Sequence, residues 1–328
     1  MSIPQQQPRL SVRNLDDLVG VVPYLIGFHP QESLVVMILT DGRVELTARV
    51  DLAPISDPEA LADFWMRLDL RFPRAEPWFL AFTDDRQLAW SVLDHCVLLV
   101  GEHRLGRVVA VVGDYWEADL PGGPSGAVQA SPSAAEAALL GLPARASRAE
   151  LAALVAGPAD AAVDGLVERF AAQAEFLDRR GLRAKRAILD RLLRTDGPLT
   201  VDDAVLAALL VSEPSRQLMV LRRLSTQNAE QQVRLWVSVL ACALTPYRPG
   251  PLGLLGMAAW LTGNGALMTI CLENLDAIDP LGPLPTLLDW LNLRVLPPDL
   301  WSTHRSALLR AVADHLTVIG PTPASSDS

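Results

Sequence analysis

Five histidines are spread over 328 residues, and one of them, His29, stands in the phrase "GFHPQESLVV" between an apolar helical pattern and a β-branched run. An imidazole beside carboxylates can bind a divalent cation through nitrogen and oxygen, or can trade protons as acid and base. The carboxylates that could join it, Asp51, Asp84 and Asp114, close three separate apolar stretches, "TARVD", "WFLAFTDD" and "VVAVVGD". On that reading the chain is an enzyme, a metal-assisted hydrolase or a phosphoryl-transfer enzyme, with His29, Asp51, Asp84 and Asp114 as its catalytic residues. A divalent metal is the cofactor such a set takes, although the sequence itself names none. A plainer reading covers the same residues. Asp84 and Asp85 can neutralise the positive end of the helix that follows them, and Asp51 and Asp114 can be turn residues.

Other reactive constellations are weaker. A nucleophilic set of Ser33, His29 and an aspartate lacks the G-x-S-x-G elbow, because Ser33 enters a strand and not a sharp strand-to-helix turn. No G-x-x-x-x-G-K-[ST] phosphate loop is present, and "GNGALM" lacks the third glycine of a dinucleotide fingerprint. His304 and His315 would stand about 16 Å apart on one helix, too far to share a metal. His95 and His103 read as structural or solvated. Cys96, Cys242 and Cys271 stand singly in apolar surroundings with no C-x-x-C, which predicts reduced, buried thiols and not a zinc or disulfide framework.

The elements that must position His29 and the aspartates follow from periodicity. "NLDDLVGVVPYLIGF" is helical, with Asn14 as its cap; "ESLVVMIL" and "VELTARVDL" flank the Asp-Gly of "TDGR" and predict a hairpin. "SDPE", Ser56 to Glu59, has capping-box spacing and opens the helix "ALADFWMRLDLRF". The strand "PWFLAF", the helix "RQLAWSVLDHCVLLV" and the strand "RVVAVVGDYW" complete a βαβ order, which predicts right-handed crossovers and three strands pointing the same way. The first strand runs against them. Its start therefore shares an edge with the carboxyl ends of the other three, the edge where open α/β sheets bind ligands. His29, Glu32 and Ser33 should arrive there beside Asp51, Asp84, Asp85 and Asp114.

After the Gly/Pro/Ser-rich "DLPGGPSGAVQASPS" no strand pattern is evident. Capping-box spacings at Ser133, Ser147 and Thr200 each precede helical apolar patterns. The fold class expected is an α+β two-part chain, an N-terminal mixed α/β sheet of hairpin plus parallel crossovers followed by an all-helical C-terminal domain. Its boundaries are a disordered tail 1–10, a sheet domain 11–120, a linker 121–132, a helical domain 133–318 and a disordered tail 319–328. The run between Arg248 and Glu273 is uncharged and long enough to span a bilayer, but "TGNGA" breaks it, so two short buried helices are expected. The Gly263-Asn264 turn and Pro280 are reminiscent of one tetratricopeptide unit; an ordinary helix pair explains them as well.

The net charge is −10, and residues 1–130 carry 10 basic against 18 acidic groups, which disfavours nucleic acid and anionic membranes as partners. All basic residues but Lys185 are arginine, and "DRRGLRAKRAILDRLLR" concentrates them, with Arg179, Arg183, Arg186 and Arg194 on one side of a helix. That side is either a solvated face or a docking surface for an acidic protein or an RNA segment. The opening "MSIPQQQPRL" has no apolar secretion core, so a cytoplasmic location is expected.

The phrases "VPYLIGFHPQESLVV" and "TARVDL" resemble the opening of an actinobacterial family, domain of unknown function 4192, in which a helix precedes Y-L-x-G-F-H-P-x-x-S-L-V-V and an A-R-V-D-L strand. "SPSAAEAALLGLPARASRAELAA" and "WLTGNGAL" are similar to its later segments. The resemblance marks Gly27, Phe28, His29, Pro30, Ser33, Arg49 and Asp51 as family hallmarks and assigns them no role. Between Trp116 and Ser131 this chain departs from the family pattern, carrying "EADLPGGPSGAVQA" where many relatives have cysteines. The function expected is that of a non-catalytic binding or adaptor protein, its partner a protein, its membrane insertion absent, and a homo-oligomer compatible with the sequence. The enzyme built on His29 is the alternative.

Overall fold

The structure is a computed structural model that describes residues 14–101, 103–128, 132–139 and 144–319. The tails expected at 1–10 and 319–328 lie outside these residues, apart from Ile319. Close contacts divide the chain into two compact units, Met1–Leu151 and Ala152–Ser328.

In the first unit, α1 (Leu15–Ile26) begins where the Asn14 side chain accepts a hydrogen bond from the Asp17 amide, and it ends at Gly27, which turns left-handed at φ 86°. β1 (Ser33–Thr40) and β2 (Arg43–Asp51) form the expected hairpin. Asp41 and Gly42 both take positive φ, 50° and 70°, as a two-residue turn that follows strand twist requires. The short α2 (Leu52–Ile55) precedes α3 (Pro58–Arg71). Ser56 does not cap α3 as its spacing predicted. Asp57 does, accepting from the Glu59 amide at 3.3 Å, because Pro58 presets the first helical φ one residue later.

β3 (Glu76–Phe82), α4 (Arg86–Val100) and β4 (Arg107–Val112) follow in the predicted order. "RVVAVVGDYW", expected as one strand, is two: Gly113, at φ 57°, turns the chain between β4 and β5 (Tyr115–Ala118). A three-residue β6 (Ser125–Ala127) inside the Gly/Pro/Ser-rich stretch then adds to β5. Gly126 permits that pairing, since a Cβ there would lie 2.8 Å from the Trp116 ring.

The sheet order is β2-β1-β3-β4-β5-β6. β1 is antiparallel to both β2 and β3, and β3 is parallel to β4, so β2, β3 and β4 point the same way as expected. Register separates the two faces. Phe79 meets Trp65 of α3 edge-on at 5.6 Å, and Glu117, on the same face through Ala110 and Ala81, receives Arg86 and Trp90 of α4. Trp116 projects to the opposite face and donates to Asp16 of α1 at 2.8 Å. The unit is thus three layers: α1 on one face, the sheet, and α3 with α4 on the other. α5 (Pro132–Leu139) packs on α1, and α6 (Arg148–Ala153) follows it.

The second unit contains nine α-helices among the described residues: α7 (Val163–Asp178), α8 (Leu182–Leu192), α9 (Val201–Val211), α10 (Pro214–Leu221), α11 (Ala229–Leu240), α12 (Pro249–Leu261), α13 (Gly265–Ile278), α14 (Pro283–Leu293) and α15 (Leu300–Ile319). The uncharged run is α12 and the start of α13. Every residue from Gly250 to Leu261 is buried, so α12 is the core helix of this unit. Gly263, at φ 78°, turns the chain, and the Asn264 side chain caps α13 by accepting from the Leu267 amide. Among the described residues no single helix is long and apolar enough to cross a membrane, and α9 with α10 passes only as a pair bent by 105°.

Candidate functional site

Strand register puts the expected residues at one sheet edge. Asp51 lies opposite Ser33, Ser33 opposite Phe82, and Phe82 opposite Val111, so the ends of β2, β3 and β4 line up with the start of β1. Their side chains then take separate partners on the two faces.

On the α1 face the family hallmarks form one connected lock. The Gly27 carbonyl accepts from the Arg145 amide at 3.0 Å, and the His29 amide donates back to the Arg145 carbonyl at 2.9 Å. This bridge seats Phe28, which is 1% exposed, and the Arg49 guanidinium lies 5.6 Å from its ring centroid. Arg49 Nε donates to Ser33 Oγ at 2.8 Å, Ser33 Oγ donates to the Gln31 carbonyl at 2.6 Å, and Arg49 pairs with Asp51. Ser33 therefore spends its hydroxyl proton on backbone. Among the described residues the His29 ring has no hydrogen-bond partner and is exposed; only its backbone is used.

On the α4 face Glu32 adopts φ 43°, a left-handed conformation costly for a residue with a Cβ. Both of its ends are fixed: its carbonyl accepts from the Leu52 amide at 2.9 Å, and its carboxylate accepts from Thr83 Oγ1 at 2.8 Å. Thr83 Oγ1 in turn accepts from the Asp85 amide. Asp85 caps α4, accepting from the Gln87 and Leu88 amides, so it stabilises orphan donors at the helix start. Arg86 reaches Glu117 with Nε at 3.1 Å and Nη2 at 2.8 Å, and Trp90 Nε1 adds a contact at 3.2 Å. The Arg86 hydrogen bonds hold the Glu117 carboxyl below its usual range, with desolvation opposing and Trp90 assisting. Asp84 faces the Gly113 turn, and Asp114 is exposed in that turn, its carbonyl accepting from the Val128 amide at 2.7 Å. Among the described residues no group of three or more His, Cys, Asp or Glu side chains could hold a metal ion.

The edge is thus a place where charged groups satisfy helix ends and turns. Thr83 and Arg145 were not legible as members, since Arg145 reaches His29 from a distant segment, and the positive φ of Glu32, which was expected at this edge, has no signature in sequence. Cys96 and Cys271 are buried free thiols, and desolvation raises Cys96 to about 12.

In the second unit one arginine of the basic helix, Arg191, pairs with a carboxylate of another helix, Asp203. Arg179 pairs with Glu175 and Arg223 with Asp190. Leu182 is exposed, whereas Leu189, Leu192 and Leu193 are buried. Asp190 opens onto a cleft of about 260 Å³ shared with Arg194, Arg223, Asn228 and Gln232. Its carboxyl is held below the usual range chiefly by the hydrogen bonds from Arg223, with desolvation opposing and the charges of Arg186 and Arg194 adding to that of Arg223.

Exposed apolar side chains mark a different surface. Met66 and Leu70 on α3 are 52% and 78% exposed, and Leu98 and Leu99 at the end of α4 are 80% and 39% exposed. α3 leads into β3 and α4 leads out of it on the same face, so their C-terminal ends lie at one end of one layer. Among the described residues of the helical unit the exposed large residues are spread over α7, α8, α9, the α13–α14 turn and α14.

A family model described as a domain of unknown function, DUF4192, matches residues 16–299, most of the chain. No curated protein and no solved structure matches it.

Proposed function

We propose that this chain, which belongs to the DUF4192 family of unknown function, is a non-catalytic protein-binding adaptor. The observation that carries the reading is the apolar end of the α3–α4 layer, where Met66, Leu70 and Leu98 project into solvent. Nothing in folding requires these residues to be apolar, and an exposed patch of leucine and methionine costs solubility unless a partner covers it. Aliphatic and methionine contacts of this kind suit an interface that adapts to its partner. The hallmark residues fit the same view, because Gly27, Phe28, Ser33, Arg49 and Asp51 build a scaffold joint and their polar atoms are engaged with one another. Buried, unreactive thiols are consistent with a reducing cytoplasmic setting.

The test is affinity purification from native cells with the wild-type chain and with a Leu70→Asp/Leu98→Asp variant. Both positions are exposed, so the variant should keep the wild-type circular dichroism and melting temperature. A protein recovered in fixed proportion by the wild type and lost with the variant is the expected result. Recovery of the bait alone, or of the same proteins by both chains, overturns the reading.

A further inference from the structure

We propose that the helical unit binds a small organic anion in the cleft formed by α8, α10 and the start of α11. The charge of its lining points to an anion. Arg194 and Arg223 face a single carboxylate, Asp190, so the lining carries one more positive than negative charge. Arg194 has no ion-pair partner among the described residues and stands at the rim. Arg223 is different, because it forks onto Asp190 through both terminal nitrogens, with Nη2 to Oδ2 at 3.0 Å. That pairing fixes the Arg223 guanidinium plane, which is the preorganisation that anion recognition needs.

The backbone beneath it is held as well. Asn228 Nδ2 donates to the Arg223 carbonyl at 2.9 Å, and Asn228 Oδ1 accepts from the Ser225 amide at 2.8 Å. Gln232, 3% exposed, donates its Nε2 to the Leu193 carbonyl at 3.2 Å, and its buried Oε1 has no hydrogen-bond partner. The occupant is therefore an anion that pairs with the guanidinium groups of Arg194 and Arg223. Size narrows it further. A cleft of about 260 Å³ is at or below the low end of ligand sites, room for roughly eight to ten non-hydrogen atoms and too little for a dinucleotide. The lining has no aromatic side chain on which a nucleobase could stack, which favours a small molecule over single-stranded RNA.

The inference is independent of the α3–α4 surface. Its test is calorimetric titration of the full chain with glycerol 3-phosphate at constant ionic strength, beside Arg194→Gln and, as a charge control outside the cleft, Arg183→Gln. Saturable binding by the wild type, weakened about tenfold or more in Arg194→Gln and unchanged in Arg183→Gln, is expected. Absence of binding, or equal weakening in both variants as general electrostatics would produce, overturns it. Tighter binding of hexaglutamate or of an RNA oligomer than of glycerol 3-phosphate also overturns it, since the basic face would then serve a macromolecule.

Discussion

Phe28 and His29 are neighbours with opposite fates. Phe28 is buried under Arg49, whereas His29 contributes a backbone amide and leaves its ring in solvent. Phe28→Ala should therefore cost about 3–5 kcal/mol, and His29→Ala should stay within about 0.5 kcal/mol, as urea unfolding midpoints will show. The residue types alone suggested the reverse emphasis, since an imidazole attracts chemical attention and a phenylalanine does not. The Gly27 cap was legible, because a glycine closes the apolar helical pattern there; the Arg145 bridge that uses His29 was not, because it is made by backbone from a remote segment.

Glu117 gives a second prediction at this scale. Its folded pKa is depressed by Arg86, so its contribution is present above the ordinary glutamate value and is lost as pH falls through the depressed one. Melting temperature should fall more steeply below about pH 5 in the wild type than in Glu117→Gln. Equal slopes would remove Arg86–Glu117 from the acid response.

Among the elements, α12 shows what an uncharged run is for. Gly250, Gly253 and Gly256 recur at one helical spacing, and a Cβ at each would meet the Val211 carbonyl at 2.3 Å, Leu284 at 2.4 Å and Leu288 at 2.6 Å. The glycines let neighbouring helices approach closely, an arrangement that offsets their poor helix propensity. Gly253→Ala should destabilise by about 1–3 kcal/mol through overpacking against Leu284, despite alanine being the better helix former, and thermal unfolding reads the sign. A net stabilisation would mean that Leu284 moves aside freely. The split of this run into two buried helices was legible from its Gly-Asn turn, as were the Asp-Gly hairpin and the common direction of β2, β3 and β4. β6 was not, since Ser-Gly-Ala has neither alternation nor β-branching and is a strand only because Trp116 packs over Gly126. Ser56 misled for a local reason: two cap residues stood side by side, and Pro58 selected the second.

For the whole molecule, the sequence conveyed the two-part α+β plan through a change of period, from alternating runs to helical ones after the Gly/Pro/Ser-rich stretch. The surface that defines the proposed role stayed hidden. Met66, Leu70 and Leu98 sit in amphipathic helices whose apolar residues are expected to be inside, and only packing shows that these three remain outside. The aspartates at the sheet edge were placed correctly by topology, yet register sends their neighbours to opposite faces, where caps and turns absorb them. The most direct measurement is hydrogen–deuterium exchange of the full chain with and without the protein it retains on affinity purification. Slowed exchange over the C-terminal turns of α3 and α4, around Met66–Arg71 and Asp94–Val100, is the result expected. Slowed exchange confined to the edge around Glu32, Asp51 and Thr83–Arg86, with the α3–α4 end unchanged, contradicts it.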